Sequence, residues 1–141
     1  MTKEHNERLT RVGRGTPCGE LLRRYWHVLC GSGEVTAEKP RKRVRIMGED
    51  LLVLLSPSGE IVCMEERCPH RRASFYFGFL EPEGIRCCYH GWKFDYQGQC
   101  IEQPFEPKKF HDKIKVRTYP VKKLGGLLFV YMEPNPEEAP L

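Results

Sequence analysis

The sequence of 141 residues contains no long apolar run. The longest runs, Leu51–Leu55 and Leu127–Met132, fall far below the roughly 20 apolar residues that a membrane-spanning helix requires. Residues 1–15 are polar and basic, without the apolar segment of a secretory signal peptide. We therefore expect no membrane association and a cytoplasmic location.

A strong excess of one charge is also missing, since 23 lysines and arginines oppose 19 aspartates and glutamates. The formal net charge of +4 is too small to indicate a nucleic-acid-binding protein. We interpret the basic run Arg41–Arg45 as the solvent-facing side of an outer strand, where charge discourages edge pairing. No nucleic acid partner is expected, although the mildly basic surface would suit an acidic protein partner.

Histidine is scarce, which limits the catalytic metal sites that the chain could hold. Outside the two motifs described next, the histidines are His5, His27 and His111, and no two of them stand at ligand spacing. A mononuclear iron held by two histidines and a carboxylate therefore has no candidate site in this sequence. We expect that this polypeptide alone does not oxidise a substrate, and we assign no residue a catalytic role.

The sequence does contain two short motifs that each combine a cysteine with a histidine. Cys68 and His70 form a C-x-H motif, and Cys87 and His90 form a C-x-x-H motif. A structural zinc site usually has two cysteines in one arm and two histidines or two more cysteines in the other. Mixed arms instead suit a two-iron cluster, with both cysteines on one iron and both histidines on the other. A structural zinc module remains the alternative from a different class.

At these residues the sequence resembles the Rieske [2Fe-2S] proteins. The surrounding segments, CPHRRAS and CYHGWKFDYQGQC, resemble the N-terminal domains of Rieske non-haem iron oxygenases of the phthalate-dioxygenase type. The resemblance covers residues 16–135 and implies a [2Fe-2S] cluster held by the two cysteines and two histidines. It also implies a mostly β fold, in which small antiparallel sheets are stacked and the cluster-binding loops form a subdomain.

The resemblance implies one-electron transfer as the electron-delivering domain of an aromatic-ring or related oxygenase system. A flavin- or ferredoxin-type reductase would then be the electron donor, and the catalytic domain of an oxygenase would be the acceptor. The alternative within the family is a free-standing Rieske ferredoxin that carries electrons between soluble partners.

Two residues that follow the second motif, at positions 92 and 94, affect the redox potential that we expect. In high-potential respiratory members of the family, a serine and a tyrosine donate hydroxyl protons to the cluster sulfurs. The matching positions here hold Trp92 and Phe94, and neither side chain carries a hydroxyl group. We therefore expect a low potential, near the bottom of the range of about −150 to +300 mV for Rieske centres.

Further residues beside the motifs are candidates for contacts with the cluster or with a docking partner. Arg71 and Arg72 follow the first motif, and Tyr89 and Gly91 flank His90. The family commonly has glycine where Arg72 stands, so the loop geometry or the partner contacts are expected to differ there. The alternative is that both arginines are ordinary solvated loop charges.

One additional cysteine, Cys88, also lies near His90. The C-x-x-H spacing selects Cys87 as the ligand, and the resemblance implies a residue that is not a ligand at position 88. Respiratory Rieske proteins carry an extra cysteine in each cluster loop, and these two cysteines are bonded to each other. The matching positions here are Ala73 and Tyr89, so this disulfide is not expected.

We divide the chain into a flexible tail (residues 1–15), a Rieske domain (16–133) and a linker-like end (134–141). Turn residues between short apolar runs predict antiparallel strands with tight connections. The predicted elements are a helix over 18–26 and strands over 26–30, 41–47, 51–55, 61–64, 116–121 and 127–132, with hairpin turns at 81–84 and 96–98. The last two strands are expected to pair with each other.

Overall fold

The computed structural model describes residues 1–133, 135, 137, 139 and 140. Its helices and strands, in chain order, are α1 (Lys3–Thr10), α2 (Pro17–Leu22), β1 (Trp26–Gly31), β2 (Arg41–Ile46), β3 (Glu49–Leu55), β4 (Ile61–Glu65), β5 (Phe79–Glu81), β6 (Gly84–Arg86), β7 (Lys93–Asp95), β8 (Cys100–Glu102), β9 (Thr118–Tyr119), β10 (Val121–Leu124) and β11 (Leu127–Tyr131). In the described residues the strands form three sheets, with the orders β1-β11-β10, β2-β3-β4-β9 and β5-β6-β7-β8. All neighbouring strands are antiparallel. The predicted mostly β fold of small antiparallel sheets is confirmed.

In the sheet β2-β3-β4-β9, called the central sheet below, strand β3 is buried on both faces because it is apolar along its middle. Leu51, Leu52, Val53 and Leu54 are all fully buried. Successive side chains of a strand point to opposite faces, so Leu52 and Leu54 join one core while Leu51 and Val53 join the other. Each such side chain contributes about 1.5–3 kcal/mol on burial. The first of these two cores also contains the cysteines of both motifs.

The two motifs lie at the ends of different sheets. The first motif follows β4 of the central sheet, and the second connects β6 to β7 of the sheet β5-β6-β7-β8. Aromatic and apolar side chains from both sheets meet beneath them, including Phe75, Ile85 and Phe94, which are fully buried. The shared core therefore brings the two motifs to the same end of the domain.

The predicted pairing of the last two strands is wrong for the residues before Pro120. In the structure β9 pairs with β4, whereas β10 pairs with β11. Pro120 separates β9 from β10, and a proline has no backbone N–H to donate to a strand ladder. The chain therefore changes sheets at this residue instead of continuing as one strand.

The predicted first helix is shorter in the structure and begins one residue earlier. Helix α2 starts with Pro17 in its first turn, and the hydroxyl of Thr16 accepts a hydrogen bond from the Gly19 N–H at 3.2 Å. This is a favourable N-terminal cap. The predicted strand over 26–30 is confirmed as β1, so Trp26 begins this strand and does not end the helix, and its ring lies 5.5 Å from that of Tyr131.

The two ends of the chain were predicted to be a flexible tail and a linker-like segment. Helix α1 lies within the segment predicted to be a flexible tail and buries no side chain, and its flexibility stays a prediction. In the predicted linker-like end, residues 134, 136, 138 and 141 lie outside the described residues. The carbonyl of Pro140 accepts a hydrogen bond from the indole N–H of Trp26 at 2.7 Å. Among the described helices, none has the length and apolar character needed to cross a membrane.

An ion network around Glu49 fastens the N-terminal segment to the central sheet. The Glu49 carboxylate accepts hydrogen bonds from Arg14 at 2.6 Å, from Arg23 at 3.3 Å and from the hydroxyl of Tyr119 at 3.1 Å. Arg117 lies 3.4 Å away. The side chain of Arg23 is only 1% exposed, so its positive charge depends on this carboxylate for compensation.

We predict that Glu49→Gln lowers the free energy of unfolding by about 3 kcal/mol, because it leaves the buried Arg23 charge without a counter-charge. The control is Asp50→Asn on the same hairpin, which removes the exposed ion pair between Arg45 and Asp50. This control should change the free energy by less than about 1 kcal/mol. Urea unfolding followed by circular dichroism measures both values. Equal effects of the two substitutions would contradict this account of the network.

Candidate metal centre

The first motif lies in a tight loop that its own backbone closes. The N–H of Cys68 donates to the carbonyl of Ala73, and the N–H of Arg72 donates to the carbonyl of Cys68, both at 2.9 Å. A bridge between Arg67 and Ser74 brings the two ends of this loop together. These bonds fix the directions in which the side chains of the motif leave the backbone.

The second motif repeats this hydrogen-bond pattern residue for residue. The N–H of Cys87 donates to the carbonyl of Trp92 at 2.8 Å, and the N–H of Gly91 donates to the carbonyl of Cys87 at 3.1 Å. The guanidinium of Arg86 donates to the carbonyl of Gly91 at 2.9 Å and braces the loop from outside. The two loops therefore have a common architecture, although they come from different sheets.

Both loops also turn through a left-handed residue at the same place. Arg72 has a φ of 61° and Gly91 has a φ of 77°. Glycine adopts this conformation freely, whereas for an arginine it costs about 1–2 kcal/mol. The first loop thus keeps the conformation of the second, although an arginine stands where the resemblance led us to expect a glycine. Its hydrogen bonds hold the arginine in this conformation.

The two loops bring sulfur next to sulfur and imidazole next to imidazole. Cys68 and Cys87 are 1% and 3% exposed in one shared core, and the Cys87 thiol lies close enough to that of Cys68 to raise its pKa. The rings of His70 and His90 lie edge to face, with centroids 4.8 Å apart. The structure therefore brings together all four residues that the sequence indicated, as one pair of thiols and one pair of imidazoles.

Burial shifts the pKa values of side chains in the first motif. It raises the pKa of the Cys68 thiol well above its usual value, and the neighbouring thiols of Cys87 and Cys100 add to this effect. Desolvation lowers the pKa of His70, and the nearby His90 and Arg71 lower it further. A neutral imidazole is the form that binds metal, whereas the thiol must release its proton on binding.

One buried nitrogen without a hydrogen-bond partner, called orphaned below, tests whether the two cysteines and two histidines suit a metal. The Nδ1 atom of His90 is buried and has no hydrogen-bond partner. Such an atom is costly to bury unless something binds it, and a metal ion coordinates an imidazole nitrogen directly. Two cysteines and two histidines are the ligand set of a Rieske [2Fe-2S] centre. Within the described residues, no three His, Cys, Asp or Glu side chains gather around a position for one metal ion.

Aromatic rings cover the imidazole pair from two sides. Trp92 is 4% exposed and stacks on His70, with ring centroids 4.2 Å apart and planes 4° from parallel. Tyr89 is exposed, and its ring lies 3.9 Å from that of His90. Phe94 lies deeper, in the core that also contains both cysteines. Trp92 and Tyr89 therefore contact the motif histidines directly, while Phe94 supports the loops from below.

The remaining sequence candidates lie on the surface of the loops. Arg71 and Arg72 are exposed, and His70 beside them is half-buried. Cys88 is exposed while Cys87 is buried, so the two adjacent cysteines face different environments. This difference agrees with the C-x-x-H spacing, which selects Cys87.

Sequence reasoning missed an ion network that supports the second loop. Glu81 pairs with Arg86 at 2.6 Å and with Lys93 at 2.8 Å, and Glu102 reaches Arg86 at 2.8 Å. These two cations lower the pKa of Glu81 to about 2. The opposite charges on β5, β6, β7 and β8 were visible in the sequence, but only the strand register shows that they meet. Pro104 was also missed, because only the fold places it against Gly91, 3.3 Å from where a Cβ would lie.

Comparison with known proteins identifies the family. Residues 25–120 match the family model described as the Rieske [2Fe-2S] domain. The chain is 51% identical to the 5,5'-dehydrodivanillate O-demethylase oxygenase subunit of Sphingobium sp. (strain NBRC 103272 / SYK-6), with 96% of this chain and 33% of that protein covered. It is 38% identical to the phthalate 4,5-dioxygenase oxygenase subunit of Pseudomonas putida, with 96% and 31% covered. The chain thus spans about a third of the length of the curated relatives it matches.

A solved structure agrees with this identification. Apo dicamba monooxygenase superposes with a TM-score of 0.74 at 27% sequence identity, covering 84% of this chain and 36% of that one. The predicted resemblance to the Rieske domains of oxygenases is therefore confirmed, and so is the cofactor type that this family implies, a Rieske [2Fe-2S] cluster. The chain belongs to the Rieske [2Fe-2S] domain family.

Proposed function

We propose that Cys68 and Cys87 hold one iron of a [2Fe-2S] cluster and that His70 and His90 hold the other. The observation that carries this assignment is the pairing of like donors from two loops of the same architecture. The orphaned Nδ1 atom of His90 supports it further, because a buried imidazole nitrogen needs a partner. A cluster with two thiolate and two neutral imidazole ligands accepts one electron more readily than one with four thiolates.

The domain is then a one-electron carrier within an oxygenase system. The curated relatives described above are an O-demethylase and a dioxygenase subunit, so their names differ in reaction and in substrate. Both match this chain over about a third of their own length. The step that such a shared domain supports is the delivery of electrons, and we propose this step without assigning a substrate.

Electrons enter and leave at the loop surface. His70 is half-buried, and exposed residues surround the motifs: Arg71, Arg72 and Tyr89. Two exposed guanidinium groups beside an imidazole ligand would attract an acidic patch on a partner and orient it. We propose a flavin- or ferredoxin-type reductase as the donor and the catalytic domain of an oxygenase as the acceptor.

An electron-transfer experiment tests this function. The cluster-loaded domain is mixed anaerobically with NADH and a flavin-containing reductase of the phthalate type, and the visible spectrum is followed by stopped flow. We expect bleaching that corresponds to one electron per cluster. A cluster that dithionite reduces but that the reductase with NADH leaves oxidised would contradict the proposed donor.

Substitution of the two adjacent cysteines tests the ligand assignment. We predict that Cys87→Ser loses the visible absorption of the cluster, because a thiolate ligand is removed. The matched control, Cys88→Ser, should keep the absorption, since Cys88 is exposed and outside the C-x-x-H register. Iron content and absorbance per chain measure both effects. The reverse pattern would overturn the assignment.

Substitutions at the two loop residues with a left-handed backbone conformation test whether this turn shapes the site. We predict that Gly91→Val lowers cluster content severalfold, because a β-branched residue is strained at a φ of 77° and its Cβ would meet Pro104. Arg72→Gly should retain the cluster, since glycine suits the same conformation in the first loop. Iron per chain after reconstitution is the measurement. Full loading of Gly91→Val would show that this turn does not shape the site.

The side chains after the second motif predict a low midpoint potential. Trp92 and Phe94 lack the hydroxyl groups that donate to the cluster sulfurs in high-potential members of the family, and two hydroxyl donors at these positions would raise the potential. We expect a midpoint near the bottom of the range of about −150 to +300 mV. A redox titration that gives a value above about +100 mV, well inside that range, would contradict this expectation.

A further inference from the structure

The indole N–H of Trp92 is a buried donor without an acceptor. The side chain of Trp92 is 4% exposed, and its Nε1 atom has no hydrogen-bond partner. An indole nitrogen can only donate, so no rotation of the group could turn it into an acceptor. Buried polar groups in folded proteins are nearly always hydrogen-bonded, and an exception calls for an explanation such as a bound group.

The other tryptophan of the chain is satisfied within the fold. The Nε1 atom of Trp26 donates to the carbonyl of Pro140 at 2.7 Å. This N–H lies on β1, which belongs to a different sheet from the strands that flank the two motifs. The chain therefore provides an acceptor for its more exposed indole and leaves the buried one unpaired.

The position of Trp92 limits what can complete its hydrogen bonding. Its ring stacks on His70, and its carbonyl accepts the N–H of Cys87, so the residue lies where the two motifs meet. On another side the ring of Phe110 meets it edge to face at 5.8 Å and offers no acceptor of ordinary strength. A second unpaired nitrogen, Nδ1 of His90, lies two residues away in the same loop. Two orphaned atoms in one loop point to a single missing group.

We propose that the Trp92 indole N–H donates a hydrogen bond to a sulfur of the bound [2Fe-2S] cluster, either a bridging sulfide or a cysteine thiolate. This inference rests on the proposed function, because it requires the cluster to lie between the two loops. Sulfur gains negative charge when the cluster is reduced, so a donated hydrogen bond favours the reduced state. Trp92 is then a positioning residue that raises the potential from the lower value the cluster would otherwise have.

Isotope labelling tests the contact itself. The protein is produced with tryptophan labelled with ¹⁵N in the indole ring, loaded with cluster, reduced by dithionite and examined by pulsed EPR. We expect a ¹⁵N hyperfine coupling that persists in the control Trp26→Phe and disappears in Trp92→Phe. A reduced cluster of Rieske type without any ¹⁵N coupling from tryptophan would overturn the proposal. In that case a water molecule or a protein acceptor satisfies the indole.

Redox titration tests the consequence. Trp92→Phe keeps an aromatic ring beside His70 but removes the N–H, and we expect its equilibrium constant for reduction to fall by up to about tenfold, which is 59 mV for one electron. The control Phe110→Leu alters packing against the same ring and keeps the N–H, so its midpoint should match that of the unsubstituted protein. Equal midpoints for Trp92→Phe and the unsubstituted protein would overturn the tuning role.

These outcomes are separable from those that test the proposed function. If Trp92→Phe fails to bind the cluster, the labelling of the unsubstituted protein still decides the contact. If the chain forms a cluster of Rieske type but tryptophan shows no coupling, the hydrogen bond is wrong while the ligand assignment stands. If no such cluster forms in any variant, the proposed function itself fails.

Discussion

The site depends on the contact between two loops that are connected to different sheets. Neither loop has a complete set of ligands, because each presents one thiol and one imidazole. The two loops share a backbone hydrogen-bond pattern, and the structure places Cys68 beside Cys87 and His70 beside His90. The buried face of β3, with Leu52 and Leu54, holds the two sheets together beneath this contact. The rest of the fold maintains this arrangement.

Charged side chains support the loop of the second motif and the N-terminal segment. Arg86 connects the carboxylate of Glu81 to the carbonyl of Gly91, so the second loop is tied to β5 as well as to its own ends. In the central sheet, Glu49 gathers three arginines and binds the N-terminal segment to that sheet. Rigid support of this kind holds metal ligands in position before the metal binds, and it keeps reorganisation small when an electron is added.

The local parts of this arrangement could be predicted from sequence. The spacing of Cys68, His70, Cys87 and His90 indicated the ligands, and the apolar runs with turn residues between them located most strands. The parts that could not be predicted arise from contacts between residues far apart in the chain. The switch of sheets at Pro120 depends on which strand edge is available, and the compensation of Arg23 by Glu49 depends on a hairpin approaching a helix. The orphaned N–H of Trp92 is of the same kind, because only a complete set of neighbours shows that a partner is missing.

The most direct test of the account is an EPR spectrum of the dithionite-reduced protein, taken together with its content of iron and acid-labile sulfide. We expect iron and sulfide in equal amounts, two of each per chain, and the rhombic signal of a two-iron cluster with mixed sulfur and nitrogen ligands. Protein that contains zinc without labile sulfide, or that stays colourless after anaerobic reconstitution, would contradict it.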